Sequence, residues 1–136
     1  MSDVEVNKQL FHRAASMIRV NGILSIVFGA IGTFFAIIIL AVLIADPSAS
    51  SGYGTDDYAV GAGVMAFFAF FFWLVPHLFF LLAGTLLLRS PTPGAARGLI
   101  ITNLVIGVMW NLVILIFSII ALTQTGDYER GYKKHA

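Results

Sequence analysis

The stretch AFFAFFFWLVPHLFFLLAG, from Ala66 to Gly84, carries one side chain able to exchange a proton near neutral pH, His77, directly after Pro76. An imidazole in an apolar run can relay protons where it meets water, because its ordinary pKa is near neutrality. It can also ligate haem, but bis-histidine ligation needs a partner, and His12 and His135 stand outside the apolar runs. Proton-coupled exchangers ordinarily use an intramembrane carboxylate or a titratable cluster. Here no charged residue lies between Val20 and Ala45, between Ala59 and Leu88, or between Gly98 and Gly126. Ser25 and Ser118 have no base one helical turn away to activate them. Asp46, Asp56 and Asp57 lack the regularly spaced oxygen ligands of a calcium loop. The chain has no cysteine, which removes thiolate chemistry and disulfides. No glycine-rich phosphate loop or nucleic-acid motif is present. These residues therefore point to no catalytic set, no cofactor and no metal site.

The elements that must position them are set by the solvent. The chain of 136 residues is 59% hydrophobic and 11% charged, against roughly 25% charged in a soluble domain. About 20 apolar residues cross a bilayer as a helix, and each uncharged run exceeds that length. The expected fold is all-α: one polytopic membrane domain over residues 1–136 with three transmembrane helices. Residues 1–21 read as an amphipathic interfacial helix, with Val6, Leu10, Ala14 and Met17 at helical spacing. Spans are expected over 22–45, 59–88 and 98–123. The second is long enough to tilt and is expected to kink at Pro76, which has no N–H to give Phe72. A Ser/Gly loop, DPSASSGYGTDDY, follows the first span, and the turn RSPTPGAAR follows the second.

Lysine and arginine orient the spans. A cytoplasmic N-terminus places Lys8, Arg13, Arg19, Arg89 and Arg97 inside and leaves Arg130, Lys133 and Lys134 outside. That tail is the weak point of three spans, since a fourth crossing would bring it inside. A bacterial plasma membrane is the expected location.

The polar and small residues share a register. At about 100° per residue, Gly22, Ser25, Gly29, Gly32, Thr33 and Ala36 fall on one face of the first span. Ala59, Ala62, Ala66, Ala69, Trp73, His77 and Gly84 form one face of the second, and Asn103, Gly107, Trp110, Asn111 and Ser118 one face of the third. In lipid, small residues let helices approach and polar groups seek protein partners, so each stripe is a packing face. Depth divides them into two layers. Ser25 and Asn103 lie about 9 Å above the flanking arginines; Thr33, His77 and Asn111 lie about 18–21 Å above them. His77 is expected to pair with Asn111 or Thr33.

The functional expectation is a non-enzymatic accessory or interaction subunit, or an oligomeric bundle, whose partners are membrane lipid and other membrane chains rather than nucleic acid. The alternatives are a small oligomeric conduit with His77 on its path and a lipid or isoprenoid binder.

Overall fold

The computed structural model describes residues 2–50 and 58–135. Asp56 and Asp57 of the acidic loop lie outside these residues. Every element among them is helical: α1 (Asp3–Ala45), α2 (Tyr58–Ala69), α3 (Val75–Leu88), α4 (Pro93–Trp110), α5 (Leu112–Thr123) and α6 (Thr125–His135). A short 3₁₀ turn, Pro47–Ser50, follows α1, and a π turn, Phe70–Leu74, joins α2 to α3. Among the described residues, three helical stretches are long and apolar enough to cross a membrane, Asp3–Ala45, Val60–Leu88 and Pro93–Trp110, and the bent pair Leu112–Thr123 with Thr125–Lys133 would make a fourth if taken as one span. Ile, Leu, Val and Phe side chains are exposed along all of them, the pattern expected where lipid is the solvent. The chain divides into two compact bodies, one from the residues up to Val27 and from Phe80 onward, the other from Phe28–Phe79.

The amphipathic start is not a separate helix. α1 runs unbroken for 43 residues, because nothing between Arg19 and Gly22 stops a helix; glycine alone only weakens one. Its first turn is closed by a reciprocal box. The Ser2 N–H donates to Glu5 Oε2 (3.2 Å) and the Glu5 N–H donates to Ser2 Oγ (3.3 Å), which satisfies two of the donors that a helix start leaves open.

Residues 60–88 form one long helical stretch. At the place where a kink is expected, a π turn stands immediately before Pro76. The Val75 N–H reaches back to the Phe70 carbonyl, and the wider turn absorbs the register change that a proline lacking N–H imposes. Ser90 then takes a left-handed conformation, φ 51°. Thr92 caps α4 by accepting from the Ala95 N–H (3.4 Å), with Pro93 in the first turn, where its missing N–H costs nothing.

The third span is corrected by the structure. A single helix over 98–123 does not form. Asn111 is extended, φ −154° and ψ 102°. It ends α4 through its N–H on the Gly107 carbonyl (2.9 Å) and starts α5 by accepting the Ile114 N–H on Oδ1 (3.1 Å). α5 then folds back along α4. A Cβ at Gly107 would sit 3.0 Å from the Leu115 nitrogen, so glycine lets the returning backbone come this close without displacement. After a 48° bend, α6 continues back, and the Tyr128 hydroxyl donates to the Pro91 carbonyl (2.7 Å). The tail therefore does not leave from the far end of a straight third helix but returns to the end at which α4 begins. Ala14, Ile18, Leu87, Ile100, Ala121 and Tyr128 form the apolar core there.

Candidate functional site: two polar contacts between helices

In the first body, α1 brings Asn21 and Ser25, one turn apart, to the inner side of the α4–α5 hairpin. Asn103 Nδ2 donates to Asn21 Oδ1 (2.8 Å) and to Ser25 Oγ (2.7 Å). Asn21 Nδ2 donates to Ser118 Oγ (3.0 Å), and Ser25 Oγ donates to the Asn21 carbonyl (2.8 Å). All four residues are at most 1% exposed. The network is uncharged and binds its members to one another; the Asn103 Oδ1 has no hydrogen-bond partner among the described residues. Beside it α1 and α3 touch through glycine. A Cβ at Gly84 would lie 2.5 Å from the Gly22 carbonyl oxygen and 2.9 Å from the Ile26 nitrogen.

The second body holds the histidine. The Trp73 indole N–H donates to the Gly32 carbonyl (3.0 Å). His77 Nδ1 lies 2.6 Å from the Trp73 carbonyl; a carbonyl only accepts, so Nδ1 carries the proton. The imidazole rests on the Trp73 ring, centroids 5.3 Å apart. Its Cδ2–Nε2 edge occupies the space that a Cβ on Gly32 would need. His77 and Pro76 are buried, and Trp73 is exposed. Thr33 Oγ1 is buried without a hydrogen-bond partner among the described residues, and Gly29 is buried.

Of the residues singled out from sequence, Ser25 and Asn103 meet directly, and Trp73 and His77 converge on Gly32. Asn111 is elsewhere occupied: its side-chain oxygen caps α5 in the first body, which is what breaks the expected straight third helix. Gly107 serves the hairpin. Sequence reasoning missed Asn21, the residue that links Ser118 to Asn103. Its signal was available, since Asn21 extends the Ser25 face by one turn.

Outside the apolar stretches, the tail carries ordinary surface electrostatics. Arg97 pairs with Glu129 (3.5 Å), Lys133 pairs with Glu129 (3.1 Å), and Arg130 pairs with Asp127. The Lys133 hydrogen bond and charge hold the Glu129 carboxyl below its ordinary range. Burial, and then the neighbouring Tyr132, push the Tyr128 phenol up. No group of three or more histidine or carboxylate residues able to hold a metal occurs among the described residues. Comparison with protein-family models, curated proteins and solved structures gives no match.

Proposed function

We propose that this chain is a non-enzymatic integral membrane protein of two full spans and one re-entrant helical hairpin, acting as an accessory subunit for other membrane chains or further copies of itself. The hydrogen bond from Tyr128 to the Pro91 carbonyl carries the topology, because it ties the tail to the turn at which α4 starts. From Arg97 to the tip at Trp110, α4 rises about 20 Å, against a hydrocarbon core of roughly 30 Å. The tip is apolar, with Met109 and Leu112 exposed, and is best satisfied inside lipid. All eight lysines and arginines of the chain then fall on the cytoplasmic side with both termini, in keeping with the positive-inside rule.

The accessory role is supported by how the interior polar groups are used. Asn21, Ser25, Asn103 and Ser118 bond one another, and the His77 ring is seated on Trp73 and Gly32. Broad exposed faces of Phe, Ile and Val remain for lipid or neighbouring chains.

Single cysteines in this cysteine-free chain test the topology with an impermeant thiol reagent. Cysteines at Gly94 and Gly126 should label only once the cytoplasmic face is opened, a cysteine at Asp56 should label from outside, and one at Met109 should resist labelling from either side. Labelling of Gly126 and Gly94 from opposite faces would restore three spans; outside labelling at Met109 would make α4 a full span. Purification in mild detergent, with the mass of the complex measured, tests the accessory role: a lone monomer would sink it. The conduit reading rests on His77, the one titratable side chain between Val60 and Leu88. If His77→Leu kept the fold but removed a pH-dependent flux in vesicles, that reading would take its place.

A further inference from the structure

Where α1, the α3–α4 turn and α6 meet, the first body carries an open cavity of about 310 Å³. Its lining combines apolar side chains, Ile18, Leu87 and Leu88 among them, with the polar Arg19, Ser90 and Tyr132. Arg130 and Lys133 of the tail are paired with carboxylates, but no carboxylate pairs with Arg19 among the described residues. Tyr128 also lines the cavity, its hydroxyl fixed on Pro91, and burial keeps that phenol neutral. An unpaired cation in one cavity with apolar side chains and two tyrosines matches an amphiphile with an anionic head. Tyrosine and arginine are also the side chains that settle at a membrane surface. Arg19 stands at the start of the first uncharged run and Ser90 just after the end of the second, which is the depth of phospholipid headgroups.

We propose that this cavity is a binding site for one anionic phospholipid. The phosphate sits on the Arg19 guanidinium with the tyrosines of the lining around it. The upper part of an acyl chain lies on Ile18, Leu87 and Leu88 and continues down the exposed apolar side chains of the helices. A guanidinium suits this task because its planar fork of donors matches phosphate oxygens. A second cavity, about 380 Å³ and lined by Lys8, Asp127, Arg130 and Lys133 among others, supplies the internal control. It is basic too, but it stands towards the first turns of α1, roughly 16 Å beyond Arg19 at the helical rise.

The site rests on the α3–α4 turn lying at the membrane surface, which the cysteine labelling at Gly94 tests independently. The site itself is tested on full-length protein in mild detergent, by native mass spectrometry and thermal melting with phosphatidylglycerol, phosphatidylcholine or inorganic phosphate added. Phosphatidylglycerol should remain bound at one copy per chain and raise the melting temperature by several degrees. Phosphatidylcholine should bind more weakly, and inorganic phosphate should do neither. Arg19→Gln should weaken phosphatidylglycerol binding about tenfold, Arg19→Lys should retain most of it, and Lys8→Gln should leave it unchanged. Arg19 is exposed, so these changes leave the core intact, which circular dichroism checks. Unchanged binding in Arg19→Gln overturns the site. An equal loss in Lys8→Gln reduces it to diffuse surface charge, and a full effect from phosphate alone makes it a free-anion site; either result also overturns the proposal.

Discussion

The two polar contacts solve the same problem with different materials. In the first body, amides and hydroxyls from segments 97 and 82 positions apart hydrogen-bond each other, and the Gly22–Gly84 contact sets backbone against backbone. In the second, the aromatic and imidazole rings of one helical stretch rest on a single glycine of another. The Gly22–Gly84 contact has no slack, because main-chain atoms meet on separate elements. Rings turn about side-chain torsions and can give way. The first arrangement therefore specifies a fold, including a hairpin that hydrophobic burial cannot enforce where lipid is as apolar as leucine. The second specifies only how closely two helices approach.

The contrast is broken most severely at Gly84. Gly84→Ala should cost about 3 kcal/mol, the upper range for overpacking, because the intruding methyl meets the Gly22 carbonyl and the Ile26 nitrogen. Gly63→Ala is the control, with nothing within 4 Å of the added atom. Reversible unfolding in mixed micelles measures both, and equal midpoints would mean that the helices do not cross at glycine.

Asn103→Leu keeps similar volume but removes the donor to both Asn21 and Ser25. A membrane hydrogen bond is worth about 0.6 kcal/mol on average and up to about 1.7, so losing two should cost about 1–3 kcal/mol. The α4–α5 hairpin should also open, read as faster hydrogen exchange across residues 103–118. A loss spread evenly over α1–α6 would show that the network does not single out the hairpin.

Gly32→Ala sharpens the other side. The His77 ring must swing off Trp73, at a cost of about 1 kcal/mol, the lower end for overpacking. His77→Ala in the same chain should restore most of that by clearing the space. No side-chain truncation can rescue Gly84→Ala, because its obstacle is backbone. Failure of the Gly32–His77 rescue would mean that the second contact is as unyielding as the first.

The smallest effect is electrostatic. The Lys133 hydrogen bond and charge hold the Glu129 carboxyl below its ordinary range, so its contribution is complete above the ordinary carboxylate range and is lost as pH falls through the lower, folded value. Hydrogen exchange in α6 should be unchanged from neutral pH down to about 5 and rise at more acidic pH after correction for intrinsic rates. Glu129→Gln should remove that step. A rise centred near neutrality would implicate a histidine instead.

Several of these elements were open to reading from residue types. Long uncharged runs announce helices in lipid, and the length of residues 59–88 without room for a turn implies one helical stretch. The small and polar faces mark where helices touch, and the Ser25–Asn103 layer follows from counting inward from the flanking arginines. The basic tail signalled trouble with a third span, since three cations on the far side run against the charge rule. Asn111 itself gave little warning. It sits in VMWNLVI, with no proline or glycine beside it, and asparagine caps a helix or rides within one according to its neighbours.

Sequence alone determined the apolar character that suggests a membrane location, the helical class, the first two long apolar stretches and the faces available for contact, because each depends on local composition and on the period of the helix. Only the tertiary structure decided that the third apolar run folds back at Asn111 and returns the tail to Pro91. A run of apolar residues has the same hydropathy straight or folded. The choice depends on whether Asn103 and Ser118 can both reach Asn21, and on whether Gly107 leaves room for Leu115. Those are distances between residues far apart in the chain, and no local pattern encodes them.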